Sequence, residues 1–130
     1  MSYPADLRYS REHEWVRIDG ATATIGITDY AQDQLGDIVY LDLPKAGARV
    51  EQFGKLGEIE SVKAVSDLYS PVGGEVVEVN QEAIDAPELV NQDPHGRGWL
   101  VKLALSDAGE VEKLLTAAQY EELTAQEQGE

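Results

Sequence analysis

The sequence predicts a mostly β fold, a flattened barrel or sandwich, with one short helix near residues 28–35 and another toward the C-terminus. Three observations carry this prediction. Apolar residues recur with a period of two through the middle of the chain, which is the signature of half-buried strands. Clusters of Gly, Pro, Asp and Asn break these runs at short intervals, as the tight turns of a many-stranded domain require. Helical spacing of apolar residues is confined to two places.

Taken in order, His13 to Ile18 reads as a strand, closed by the turn residues Asp19-Gly20. Ala21, Ala23, Ile25 and Ile27 then alternate with Thr22, Thr24, Gly26 and Thr28. Thr28 can cap a helix running through Leu35, its hydroxyl accepting an orphan backbone N–H, and Gly36 suits the left-handed position that ends it. Val39, Leu41 and Leu43 face inward between Ile38, Tyr40 and Asp42, until Pro44-Lys45-Ala46-Gly47 turns the chain. Gly57 to Val62 and Gly74 to Val79 are shorter strands flanking the turn Pro71-Val72-Gly73-Gly74. After the loop Asp93-Pro94-His95-Gly96, Trp99, Val101, Leu103 and Leu105 alternate with Leu100, Lys102 and Ala104. A helix follows Ser106 or Asp107, with Val111, Leu114, Leu115 and Ala118 as one apolar stripe. Residues 125–130 have no apolar face and are expected to fray.

Composition narrows the function. At 130 residues the chain suffices for one domain, residues 1–130. A formal charge of −15 repels nucleic acid and anionic membranes and favours partners with basic docking surfaces. No cysteine is present, so sulfur redox chemistry would have to come from an attached group. His13 and His95 make a poor metal set. The start Met1-Ser2-Tyr3-Pro4-Ala5-Asp6 lacks the basic and apolar regions of a signal peptide, so a cytoplasmic location is expected.

The chemistry-bearing stretch is Gly57-Glu58-Ile59-Glu60-Ser61-Val62-Lys63-Ala64-Val65-Ser66-Asp67, followed by Ser70-Pro71-Val72-Gly73-Gly74-Glu75-Val76. It reads as strand, Lys-Ala turn and strand, which puts Lys63 at or near an exposed hairpin tip. A solvated lysine there is ordinary. Its neighbours Val62 and Ala64 are small and apolar and cannot compete as ion-pair partners, while Glu58, Glu60 and Asp67 form an acidic apron.

This stretch resembles the lipoylation motif of glycine cleavage H proteins. The segments His13-Glu14-Trp15-Val16, Ala23-Thr24-Ile25-Gly26-Ile27-Thr28, Ala31-Gln32-Asp33, Leu35-Gly36-Asp37, Leu43-Pro44 and Trp99-Leu100 resemble the family in the same order, from about Tyr9 to Tyr120. Gly73 and Glu12 depart from the residues that are common there. The resemblance implies a lipoyl-domain-like barrel-sandwich hybrid and a non-enzymatic carrier with lipoate on Lys63. It implies as partners a lipoyl-attaching enzyme, a pyridoxal-phosphate glycine decarboxylase (P protein), a tetrahydrofolate-dependent aminomethyltransferase (T protein) and dihydrolipoamide dehydrogenase (L protein). The carrier would pass an aminomethyl group from the P protein to the T protein, and the L protein would reoxidise it. It also implies that Glu14 and Asp67, with Glu12 and His13 beside them, line a pocket that holds the loaded arm and keeps its amine protonated. A monomer suits such a shuttle.

Other readings stand beside this one. Glu14 could be the solvent-facing neighbour of Trp15 on a strand, Asp67 could satisfy turn amides, and His13 could pack on a strand. Within carriers, the alternatives are an H-like lipoate relay and a lipoyl domain of another multienzyme complex. Methionines beside the lysine would suggest a biotin carrier, and Val62 and Ala64 stand there instead. An enzyme using Glu14, Asp67 and His13 as an acid–base cluster is the rival from another class, although no nucleophile or metal set accompanies them. Trp15 and Trp99 are read as packing residues, and Gly96-Arg97-Gly98 as a loop without the strand-to-helix setting of a phosphate site.

Overall fold

The turn and alternation signals resolve into two antiparallel sheets in the computed structural model, which describes residues 3–127. The larger sheet has the order β1 (Arg8–Tyr9), β2 (Glu14–Asp19), β3 (Thr22–Ile27), β9 (Val101–Leu105), β8 (Gly74–Val79), β5 (Arg49–Val50). The smaller contains β4 (Ile38–Asp42), β6 (Lys55–Ser61) and β7 (Val65–Tyr69), with β6 in the middle. The described residues also form four α-helices: α1 (Asp29–Leu35), which connects the two sheets, α2 (Gln81–Asp85), α3 (Glu88–Gln92) and α4 (Ala117–Glu127).

The inward residues of both sheets share one apolar core, in which Val16, Ile25, Leu41, Ile59, Leu68, Val76 and Leu103 are all buried. Because side chains alternate across a strand, Trp15 points the other way from Val16. It enters a second, aromatic cluster with Tyr3, Leu7, Tyr9, Tyr30 and Tyr120. Tyr9 and Tyr120 stack there with ring centroids 4.8 Å apart, which fixes α4 against β1. The buried Trp15 donates its indole N–H to the Pro94 carbonyl at 2.9 Å.

Gly26 makes room for that indole. A Cβ at Gly26 would lie 2.6–2.8 Å from the Trp15 ring, and both positions are register partners on β2 and β3. We expect Gly26→Ala to destabilise the fold by about 1–3 kcal/mol through overpacking, read as a lowered thermal midpoint. An unchanged midpoint would mean that Trp15 moves aside freely.

Helix α1 forms as its sequence predicts: the Thr28 hydroxyl accepts the Ala31 N–H at 3.1 Å, and Gly36 ends the helix at φ 79°. Its ψ of −158° lies outside the left-handed helical well and in a region essentially restricted to glycine.

Three expectations need correction. Val39 is exposed and Ile38 buried, the reverse of the alternation, because the β4–β6 register shifts between Ile38 and Tyr40 and a bulge flips the phase. Leu100 is buried rather than outward, since it lies just before β9 and its N–H bonds to the Ile25 carbonyl at 2.8 Å. The C-terminal apolar stripe is not one helix. A 3-10 segment, Ala108–Lys113, precedes an extended stretch in which Leu115 exchanges backbone hydrogen bonds of 2.7 and 2.9 Å with Tyr9. The helix restarts at Thr116, which shares reciprocal capping bonds with Gln119, and Ala118 is left exposed. Helix α4 then runs to Glu127, so the segment expected to fray begins inside it. Residues 128–130 lie outside the described residues. Helices α2 and α3 were not anticipated, although Asn80 caps α2 through the Ala83 N–H.

Candidate functional site

The β6–β7 hairpin is closed by a short-range network that owes nothing to the lysine side chain. The Ser61 N–H donates to the Ala64 carbonyl at 2.8 Å, and the Ser61 hydroxyl oxygen accepts the N–H groups of Lys63 and Ala64, both at 3.2 Å. The Val62 N–H donates to the Asp37 carbonyl at 3.0 Å, which ties the tip to the loop after α1. Lys63 is exposed, and among the described residues it has no ion pair or side-chain hydrogen bond. Val62 beside it is 67% exposed. Its stem passes near Gly36, where an added Cβ would meet the lysine Cε at 3.7 Å.

The acidic apron is partly neutralised. Glu58 and Asp67 face each other across β6 and β7, and the Lys55 ammonium lies between them at 2.8 and 3.3 Å. Glu60 remains exposed.

Beneath the hairpin lies a cavity of about 280 Å³ whose lining includes Glu12, His13, Glu14 and Asp67. The structure therefore brings together all four residues that the resemblance nominated for the arm's pocket. Ile27, Tyr30, Leu35, Ile59 and Leu68 supply an apolar wall, and Glu127 reaches in from the end of α4. Leu35 directly precedes Gly36, over which the Lys63 stem passes.

Glu14 is not the solvent-facing strand residue that simple alternation allowed. It opens β2 on the Val16 side and is only 2% exposed. Its Oε1 accepts the Ser10 hydroxyl and its Oε2 accepts the Tyr69 N–H at 3.1 Å, so the carboxyl joins the larger sheet to β7 of the smaller one. Burial pushes its pKa up to about 8, against the opposing pull of the Ser10 and Tyr69 hydrogen bonds. The folded protein therefore keeps a proton that the unfolded chain releases above the ordinary value of 4.5. This group costs no stability below about pH 4.5, an increasing amount as pH rises, and its full penalty above about 8. Glu14→Gln removes the ionisation while keeping an acceptor for Tyr69. We expect its stability relative to wild type to rise by at least about 1 kcal/mol between about pH 5 and pH 9, since one pKa unit corresponds to about 1.4 kcal/mol. A difference independent of pH in urea unfolding would show that Glu14 ionises freely.

Asp67 lies on β7 rather than in a turn, and it accepts the Tyr69 hydroxyl at 3.3 Å besides pairing with Lys55. His13 precedes β2 rather than packing on it, at φ 74°. Its Nδ1 lies 2.7 Å from the Tyr120 hydroxyl and its Nε2 3.0 Å from Glu127, so it ties α4 to the cavity. Glu12 is exposed at the rim. His95 is half-buried and accepts the Asp29 N–H on Nε2, and burial lowers its pKa. Sequence reasoning missed Ser10 and Tyr69, the partners of Glu14. The spacing of Ser10 four residues before Glu14 was its only trace.

Comparisons with known proteins agree with this geometry. A family model described as glycine cleavage H-protein matches residues 7–127. The chain is 53% identical over 127 residues to the glycine cleavage system H protein of Bacillus subtilis, covering 98% of this chain and 100% of that one. It is 55% identical over 129 residues to that of Acidobacterium capsulatum, covering 99% of each. The crystal structure of a glycine cleavage system H protein from Mycobacterium marinum superimposes with a TM-score of 0.87 at 40% identity, covering 95% of this chain and 99% of that one. The barrel-sandwich arrangement, the full-length match and the hairpin over its acidic cavity lead to one assignment: the chain belongs to the glycine cleavage H-protein family, whose members are carrier components rather than catalytic enzymes.

Proposed function

We propose that Lys63 is the covalent attachment point of a lipoyl group and that the chain shuttles it among the P, T and L proteins of the glycine cleavage system. The observation that carries this reading is an unpaired, exposed lysine on a rigid hairpin tip above a cavity lined by Glu12, His13, Glu14 and Asp67. When bound, lipoate supplies a disulfide that opens reductively to carry the one-carbon unit from glycine decarboxylase to aminomethyltransferase and is re-formed by dihydrolipoamide dehydrogenase.

The residues present fit that group. Ile27, Leu35, Ile59 and Leu68 offer a dry wall to an aliphatic arm, and Gly36 leaves space beside the Lys63 stem. Glu14 and Asp67 receive a cation at the same place. The Glu14 carboxyl keeps its proton near neutrality while no cation faces it, and an ammonium within reach favours its ionised form and so its own retention. His13, held by Tyr120 and Glu127, fixes the wall formed by α4. Val62 and Ala64 keep competing charges away from the Lys63 amine during its acylation. The chain acts in the cytoplasm as a monomer.

Two measurements test this. Intact-mass and peptide analysis of the full chain from lipoate-competent cells should place one lipoyl adduct on Lys63; an adduct on Lys45, Lys55, Lys102 or Lys113 would overturn the assignment. With glycine decarboxylase, the lipoylated chain should support exchange of labelled bicarbonate into the carboxyl carbon of glycine. A lipoate relay would need Lys63 but would not support that exchange.

A further inference from the structure

A second cleft, larger than the one under the hairpin, opens on the other side of the Glu14 and Tyr69 junction. It has a volume of about 530 Å³ and is floored by Tyr9, Leu114 and Leu115, with Phe53 and Tyr69 as an aromatic wall. Arg11 and Lys113 stand at its rim with Glu12, two cations to one carboxylate.

Its charge runs against that of the molecule. In a chain of formal charge −15, six of the ten Lys and Arg side chains are already engaged. Arg49, Lys55, Arg97 and Lys102 pair with carboxylates. Arg8 and Arg17 donate to the carbonyls of Leu114 and His95. Among the described residues this leaves Arg11, Lys45, Lys63 and Lys113 without an ion pair or side-chain hydrogen bond. Lys63 is the carrier residue, and two of the remaining three line this one cleft.

Phe53 is the second anomaly. It is 50% exposed and sits at φ 66°, a conformation that is a genuine outlier for a bulky side chain. It is held there by its N–H to the Ser70 carbonyl at 2.6 Å and by the Ser70 N–H to the Gly54 carbonyl at 2.9 Å. The same turn is fastened to the Lys113 segment, because the Gln52 amide donates to the Glu110 carbonyl at 2.9 Å. Both walls are therefore fixed, and an aromatic ring is presented to solvent in a strained backbone rather than withdrawn into the core.

The position suits a carrier. Tyr69 ends the strand that begins just after Lys63, so the cleft lies about 20 Å from the hairpin tip at the rise of an extended chain. An enzyme that buries about 800 Å² on its partner covers a patch roughly 30 Å across, which spans both. Glu12 lines both cavities and links them.

We propose that this cleft docks a segment of the partner enzymes in which a carboxylate stands beside an apolar side chain, the carboxylate between Arg11 and Lys113 and the apolar group against Phe53, Tyr69 and Leu114. The proposal rests on the carrier reading of Lys63. Here the reversed charge and apolar floor give one register, which aims the arm.

The test compares lipoylated full-length chains: Arg11→Glu/Lys113→Glu, Phe53→Gly, and the control Lys45→Glu/Arg49→Glu, which makes the same change in net charge outside the cleft. Glycine suits the φ of Phe53, so that variant removes the ring without adding backbone strain. With at least one of the three enzymes, the cleft double variant should raise KM for the carrier about tenfold with kcat retained, and Phe53→Gly should act in the same direction. The unlipoylated cleft double variant should be a correspondingly weaker competitor of the lipoylated wild type. The control should change KM by less than about twofold. Equal effects of cleft variant and control, or no change with any enzyme, overturn the proposal. Concentration-dependent dimerisation in sedimentation that the cleft variant abolishes would assign the surface to a second copy and overturn it as well. A lipoylated wild type inert in exchange would instead refute the carrier reading, and this surface with it.

Discussion

Replacing Lys63 by Arg is expected to abolish glycine–bicarbonate exchange while changing global stability by no more than about 0.5 kcal/mol, as is usual for exposed positions without specific partners. The hairpin is closed by the Ser61 hydroxyl and by backbone bonds among Ser61, Ala64, Val62 and Asp37, none of which uses the lysine side chain. Arginine preserves the charge and the bulk, but its guanidinium stays protonated and cannot accept an acyl group as an amine does. The purified variant should carry no lipoyl mass and melt like wild type. Exchange retained by that variant, with partner enzymes free of other lipoyl proteins, would remove Lys63 from the carrier role.

A second large effect is expected at the cavity, and only in the loaded state. Glu14→Gln/Asp67→Asn should leave lipoylation of Lys63 intact while speeding loss of formaldehyde and ammonia from the loaded carrier by about tenfold or more. Charge-assisted hydrogen bonds are worth on the order of 1.5–3 kcal/mol each, and their loss from the resting state lowers the barrier to escape accordingly. The two carboxyls should contribute unequally. Glu14 is buried and shielded from water, whereas Asp67 is 46% exposed and shared with Lys55, so the single Glu14 change should account for most of the effect. Loss of the Asp67–Lys55 pair itself costs little, as both members are exposed. The oxidised carrier has no amine to hold and should behave as wild type. The measurement is formaldehyde release over time without the transferase at neutral pH. Identical rates for double variant and wild type would rule out protection by these two groups.

Local chemistry determined the elements that depend on neighbours in sequence. The Thr28 cap and Gly36 stop set α1, the turn clusters separated the strands, and the Lys63 hairpin was legible because its turn is satisfied by Ser61 and Ala64 within the same few residues. Resemblance nominated Glu12, His13, Glu14 and Asp67, but which of them would be buried could not be read from alternation. That was decided by β7, whose Tyr69 N–H meets the Glu14 carboxyl from the other sheet and shuts it away from water. Tertiary contact also broke the expected C-terminal helix, since Leu115 bonds to Tyr9 more than a hundred residues earlier, and a bulge inverted the faces of Ile38 and Val39. The sequence by itself determined the strand-rich pattern, the capped helix and the hairpin lysine, because period, caps and turns act over a few residues. The acidity of Glu14, the joining of His13 to α4 and the strained Phe53 at a cationic cleft were decided only by tertiary structure, because each depends on groups brought together from distant parts of the chain.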